Sequence, residues 1–536
     1  MVNRLYYGDN LDVLRESIAT ESVDLVYLDP PFNSNRSYNV LFADRSGRDA
    51  QAQIEAFDDT WTWSQDSEAA FRELTQGGAP LKVAEAMGAM RRLLGDNDVL
   101  AYLVMMTQRL IELHRTLKPT GSLYLHCDPT ASHYLKIILD VIFGPKMFQN
   151  EIAWQRSGAK NDPKRFGRSH DIILYYTKTN SFVWNTQYMP FSEESIAKNY
   201  THVEEGTGRR YRRGDLTAAK PGGDVDYEWR GVRPYKGRHW AYSREKMDQM
   251  AAEGRIEYRR TGMPVYKRYL DEQPGVPVQD IWTDIRLTSA DAERLGYPTQ
   301  KPEALMDRII TASTNEGDVV LDPFCGCGTT VAVAQQLRRE WIGMDITFLA
   351  VDLIDKRLRD TYGEEIRETY EVHGIPRDMG GAQALFDADP FDFERWAVSL
   401  VGGQPHERAQ QTADRGVDGW IRFPTSEHDV GRIIVSVKGG QQVGPSMVRD
   451  LRGTVESQRA DMGLLITLAE PTRGMLAEAR RSGTYTHPLT GQRYPKLQVA
   501  TVRDLLSGNE PDMPASFLPY VKARRGSMAQ QGTLGI

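Results

Sequence analysis

Residues 23–33 read VDLVYLDPPFN, an apolar run that stops at an aspartate and two prolines. Pro30 and Pro31 have no amide proton to give a strand ladder, so the run predicts a buried strand with Asp29 at its carboxyl tip. In an open α/β sheet, ligands bind outside the carboxyl ends of the strands. A carboxylate locked there and followed by Phe32 suits a polar ring held between acceptors and a stacking face. An Asp-Pro pair is also an ordinary turn signal, so this stretch alone leaves a plain strand-ending turn open.

Far downstream, residues 317–346 read GDVVLDPFCGCGTTVAVAQQLRREWIGMDI. The pattern predicts a strand over Val319 to Leu321, a tight turn, a helix through Val331 to Leu337 and a strand over Trp341 to Met344. Gly326 and Gly328 let the backbone approach a ligand closely, and Thr329 is placed to cap the helix. Asp345 ends the second strand, where an acid commonly holds ribose hydroxyls. The turn lacks the Gly-Lys-Ser/Thr ending of a triphosphate loop, which points to a nucleoside without a triphosphate.

The chain has 536 residues, too many for one core, and at about 150 residues per domain it predicts three or four units. No apolar run approaches the roughly 20 residues that cross a bilayer, so no membrane is expected. The amino terminus lacks a signal-peptide core, and three cysteines, Cys127, Cys325 and Cys327, build no disulfide framework. Both features predict a reduced, cytoplasmic protein. The formal net charge of -7 argues against a polyanion partner, but the charge is unevenly spread. Between Thr201 and Leu270 sixteen cations face ten carboxylates, with nine tyrosines and tryptophans interleaved. Cations mixed with aromatics suit a phosphate backbone and stackable bases, and also suit a solvated charged face.

LDPFCGCGTT resembles the cofactor motif, and LDPPF the catalytic motif, of amino-group DNA methyltransferases that use S-adenosylmethionine. YPTQKP at residues 297–302 and YGDNLDVL at residues 7–14 resemble the segments that precede those two motifs. The order, catalytic motif first and cofactor motif last, resembles the β class, over roughly residues 1 to 375. The resemblance implies a Rossmann-like α/β fold with an inserted target-recognition region and double-stranded DNA as partner. It implies a catalytic set of Asp29, Pro30, Pro31 and Phe32, with the base flipped out of the duplex to reach it. The loop from Asn33 to Phe42 is expected as a lid, and Trp154 and His170 as neighbours of the flipped base or, for Trp154, core. Cofactor contacts are expected from Asp322, Phe324, Gly326 and Gly328, with Asp345 on the ribose and Asp9 and Asn10 near the adenine. Thr299 and Lys301 are expected beside the cofactor carboxylate, a surface ion pair being the alternative for Lys301. An aspartate opening the catalytic motif usually accompanies adenine in this family, and a serine cytosine.

Some 150 residues follow, the size of one more α/β domain, after a linker expected at Met379 to Phe391. They resemble the Mrr-like branch of the PD-(D/E)xK restriction endonucleases, which implies Asp418 and Lys438 as catalytic residues, with Glu394 assisting. The implied metal is Mg2+, held by Asp418, the carbonyl of Val437 and Glu394, although Ser436 stands where an acid or glutamine is usual. The expected layout is 1–178 catalytic part, 179–290 recognition region, 291–378 cofactor part, 385–515 nuclease-like domain and 516–536 tail. The reading is an adenine-N6 DNA methyltransferase joined to a nuclease, compatible with a homodimer. Its rivals are a cytosine-N4 methyltransferase with an inert second domain and a cofactor-sensing DNA-binding regulator.

Overall fold

A computed structural model describes residues 2–31, 37–43, 49–58, 63–158, 164, 166–219, 225–287, 291, 293, 300–405, 417–425 and 430–514. Phe32, Thr299 and the expected tail lie outside the described residues. The chain divides into two compact units, one of residues 1–185 with 280–536 and one of Thr186–Gln279.

The first unit is built on a nine-stranded sheet of the Rossmann-like α/β kind. Its order is Ile281–Trp282, Phe148–Gln155, His170–Thr177, Leu117–Cys127, Val23–Leu28, Val319–Asp322, Glu340–Asp345, Asn3–Tyr7, Tyr370–His373. Only His170–Thr177 runs antiparallel to its neighbours. All six residues of Val23–Leu28 are buried, as a strand covered on both faces requires. Helix Asp98–Thr116 covers one face with Leu103, Met106, Leu110 and Leu113 at helical spacing, and the Asn97 side chain caps it by accepting from the Leu100 amide at 2.9 Å. Val320 and Leu321 pair in parallel with Leu25 and Val26, which brings the two motif-bearing strands side by side despite their separation in the chain.

The segment expected as a lid loop is partly a hairpin, because Ser37–Ala43 forms a strand antiparallel to Asp49–Asp58. The expected linker is likewise a helix, Met379–Ala388. Asp378 caps that helix through the Gly381 amide at 2.8 Å, and Ala382 and Leu385 enter the carboxyl-terminal core with Phe393, Trp396 and Phe423. Buried apolar positions at helical spacing hold this helix despite the adjacent Gly380 and Gly381.

The carboxyl-terminal part holds a five-stranded sheet ordered Gln404–Pro405, Gly419–Pro424, Val430–Lys438, Met462–Thr467, Leu497–Thr501, with helices Pro390–Ser399, Pro445–Ser457 and Arg473–Arg481. The second unit carries a four-stranded antiparallel sheet, Ile256–Tyr258, Pro264–Tyr269, Arg210–Asp215, His202–Val203, over a small core that includes Trp229, Trp240 and Met247. Among the described residues no helix is long and apolar enough to cross a membrane.

Candidate active site

Because the two strands are neighbours, Asp29 at the tip of one lies near the glycine turn at the tip of the other. Lys301 donates from Nζ to Asp29 Oδ2. Asp29 Oδ1 is buried and, among the described residues, has no hydrogen-bond partner. A buried acceptor left open in this way is costly unless something arrives to donate to it. Lys301 therefore sits on the Asp29 carboxylate; the motif resemblance set it beside the cofactor carboxylate. The peptide of Pro30 is buried beside Asp29.

Behind Asp29 lies a polar group that the sequence reading missed. His126 is fully buried, with Nδ1 at 4.0 Å from Asp29 Oδ1. The Tyr27 hydroxyl bonds Nδ1 at 3.0 Å and Asp171 Oδ2 bonds Nε2 at 3.2 Å. Arg156 reaches Asp171 Oδ1 at 3.2 Å. Burial alone would push the Asp171 carboxyl up, but His126 and Arg156 hold it below the usual range. Trp154 is buried, packs edge-on against His126 at 5.5 Å and donates from Nε1 to the Ile285 carbonyl at 3.0 Å, so its place is in the core. His170 is exposed at the start of its strand.

The glycine turn departs from expectation in one respect. Gly328, at φ +73°, is the residue that precedes helix Thr329–Gln336, and Thr329 lies inside the first turn with its hydroxyl on the Lys301 carbonyl at 3.3 Å. A side chain at Gly328 would also meet Ile354 at 2.5 Å, so glycine is required there twice over. Gly326, at φ +48°, donates its amide to Asp345 Oδ2 at 2.9 Å, and Thr347 donates its amide and hydroxyl to Oδ1 at 2.9 and 2.7 Å. Phe324 donates its amide to Asp322 Oδ1 at 3.0 Å. Asn10 donates from Nδ2 to the Pro323 carbonyl at 2.6 Å, tying the first helix to the turn. Arg109 then joins Asn10 Oδ1 and, at 2.7 Å, Asp9 Oδ1.

Burial raises the Asp322 carboxyl to about 7, and the charges of Asp29 and Asp345 add to the shift. Asp345 is raised by burial too, against the opposing bonds from Thr347 and Gly326. Three acids, Asp29, Asp322 and Asp345, thus crowd the strand tips, with Lys301 paired to Asp29 and Arg109 to Asp9, a field that suits a positively charged ligand. A carboxyl whose folded pKa is raised binds a proton that the unfolded chain has lost by about pH 5. Its contribution to stability is complete below the unfolded pKa and is lost as pH rises to about 7. Asp322→Asn keeps the Phe324 bond without the charge. In denaturant titrations it is expected to stabilise the protein by a few kcal/mol at about pH 8, an advantage that shrinks towards about pH 5.

In the carboxyl-terminal domain, Asp418 Oδ2 accepts from the Val437 amide at 2.6 Å and the Ser436 hydroxyl at 3.1 Å. Lys438 Nζ stands 3.7 Å from that oxygen and donates to the Val437 carbonyl at 3.0 Å. The carbonyl expected to ligate Mg2+ is therefore occupied by a cation of the chain itself. Among the described residues no group of three or more His, Cys, Asp or Glu could hold a metal ion. Two of the three expected donors, Asp418 Oδ2 and the Val437 carbonyl, are thus engaged within the chain, with Lys438 placed where the divalent cation would sit, so the set does not fit Mg2+.

A family model described as DNA methylase matches residues 23–356, and one described as NACHT-associated inactive Restriction Endonuclease 1 matches residues 391–506. Type II methyltransferase M.EcaI of Enterobacter cloacae is 36% identical over 262 residues, 48% of this chain and 57% of that protein. The type III restriction-modification enzyme StyLTI Mod subunit of Salmonella typhimurium is 26% identical over 354 residues, 63% of this chain and 50% of that protein. DNA adenine methyltransferase YhdJ of Escherichia coli is 26% identical over 346 residues, 64% of this chain and 78% of that protein. The chain thus spans about half the length of the first two relatives. The solved M1.HpyAVI–SAM complex is 16% identical and aligns over 66% of this chain and 99% of that one, with a TM-score of 0.30. With most of its length matched by one family model across both tips of the central sheet, the chain belongs to the DNA methylase family that methylates amino groups.

Proposed function

We propose that this protein transfers a methyl group from S-adenosylmethionine to the exocyclic N6 amine of adenine in double-stranded DNA, as the modification enzyme of a cytoplasmic restriction-modification system. The observation that carries the reading is the buried, unpartnered Oδ1 of Asp29 beside a glycine turn crowded with acids. A cationic nucleoside cofactor fits that turn, with Asp345, Asp322, Asp9 and Asn10 as its polar contacts and the backbone at Gly326 and Gly328 open to close approach. S-adenosylmethionine supplies an electrophilic methyl group on a sulfonium.

The chain's own residues do the rest. An adenine amine is a poor nucleophile because its lone pair is delocalised into the ring. Asp29 Oδ1 accepts one amine hydrogen and the Pro30 carbonyl accepts the other, which holds the nitrogen so that its lone pair turns out of conjugation. Positive charge then develops on that nitrogen against the fixed carboxylate. Pro31 locks the turn that presents both acceptors. The aspartate that opens the motif, and the relative whose name specifies adenine, support adenine over cytosine. Incorporation of labelled methyl groups from S-adenosylmethionine into unmethylated duplex DNA by the full chain tests the reading, and a chain that binds the cofactor without transfer would be the sensing regulator.

The carboxyl-terminal domain, by the same proposal, keeps the nuclease fold without the cut. The pairing of Asp418 with the Val437 amide and Ser436 supports this, as does the description of the matching family as inactive. Full-length protein with Mg2+ or Mn2+ is expected to leave unmethylated DNA of many sequences intact. Cleavage that disappears in Asp418→Ala and Lys438→Ala would restore the nuclease reading.

A further inference from the structure

The cations of the second unit are not equivalent. On one face of its sheet they are neutralised within the protein: Lys267 holds Glu204 at 2.6 Å, Arg213 holds Glu257, Arg255 holds Glu272 at 2.6 Å, and Arg209 holds Asp271 and Glu272, each at 2.8 Å. Tyr211 and Tyr269 oppose each other across the strands on that same face. These groups account for their own charge.

The other face is different. Arg212 and Arg268 are directly opposed in the antiparallel pair of Arg210–Asp215 with Pro264–Tyr269. Directly opposed like charges on neighbouring strands destabilise a sheet. Among the described residues neither guanidinium has a carboxylate within ion-pair distance, and the Nε of each is buried with no hydrogen-bond partner. Both are nevertheless held in place by rings. Arg212 lies 5.6 Å from the Tyr200 ring centroid and Arg268 4.9 Å from that of Tyr266. The next position along that face is Gly214, where a side chain would come within 2.5 Å of the Tyr266 ring and 3.0 Å of Arg268 Nε. The glycine thus clears the space that the ring and the guanidinium occupy.

Two fixed, half-buried, mutually repelling guanidinium forks suit an anion that bridges them. We infer that Arg212 and Arg268 together grip one backbone phosphodiester of the DNA. A phosphodiester presents two unesterified oxygens bearing one negative charge, so each fork can donate to one oxygen while the charge relieves the repulsion between them. Such a contact fixes the register of the duplex without reading its bases. It also separates this pair from the ion-paired arginines a few residues away, which the net charge of the segment cannot do.

The inference rests on DNA being the substrate, and its test reads binding without turnover. Duplexes of two unrelated sequences are titrated with the full chain by fluorescence anisotropy over a range of salt concentrations. Arg212→Gln and Arg268→Gln should each lower the slope of log affinity against log salt by about 0.9, the value of one phosphate contact, equally on both sequences. The double variant should lose no more than either single one, because one phosphate is shared. Arg209→Gln, which breaks pairs inside the protein, should leave the slope unchanged. The Tm of free Arg212→Gln should be no lower than that of the parent, since a repulsion is removed. An unchanged slope, additive losses, an effect confined to one sequence or a lowered Tm would each overturn the clamp. A parent chain that binds neither duplex would instead overturn the DNA substrate itself, and the clamp with it.

Discussion

Asp29→Asn should lower the rate of methyl transfer at least about a hundredfold, the scale found when one group aimed at developing charge is lost. The asparagine is nearly isosteric and keeps a carbonyl oxygen for Lys301, but it turns an amide NH2 towards the adenine amine, so donor meets donor where acceptor met donor. Cofactor affinity measured by calorimetry should change little, because Asp29 faces the amine and Asp345 is joined to the glycine turn. Turnover within a few-fold of the parent would remove Asp29 from the chemistry. A matched fall in cofactor affinity would move it to the cofactor instead.

The second large effect is expected at Lys301. Its ammonium holds Oδ2, and on the proposed mechanism this leaves Oδ1 as the oxygen offered to substrate. Lys301→Met removes a charge-assisted bond of roughly 1.5–3 kcal/mol, which corresponds to a fall of about ten- to a hundredfold in kcat if the bond serves mainly to aim the carboxylate. KM for DNA should move far less, and Lys301→Arg should recover part of the loss, as a role in aiming predicts and a role in folding does not. A variant with normal kcat and a raised KM for the cofactor would return Lys301 to the place the motif resemblance gave it.

The fold and the two halves of the site were legible because each announces itself locally. An apolar run that ends in Asp-Pro-Pro reads as a strand with a carboxylate at its tip, and Gly-x-Gly between two such runs as a tight turn, although neither by itself says what binds there. That the two tips are adjacent was legible through family resemblance alone, since hydrogen bonds of Leu25 and Val26 to Val320 and Leu321 leave no trace in spacing. The group behind Asp29 was harder to see. Tyr27, His126 and Asp171 come from three strands that only the sheet order makes neighbours. A cue did exist: a histidine inside LYLHC and an aspartate inside HDIILYYT are polar residues within apolar strands. His170 is the histidine that the resemblance sets near the base, yet strand alternation sends that side chain to solvent while its neighbour Asp171 is buried. Thr329 was read as a cap because threonine favours that position, whereas the left-handed backbone of Gly328 occupies it. In the second unit the sixteen cations could be counted but not sorted, because pairing with acids depends on which strands meet.

The account stands most directly on the identity of the methylated base. Unmethylated duplex DNA is incubated with the full chain and labelled S-adenosylmethionine, digested to nucleosides and resolved by mass. The account predicts label in N6-methyladenine, absent with Asp29→Asn. Label in N4-methylcytosine, or none in DNA that the protein binds, would contradict it.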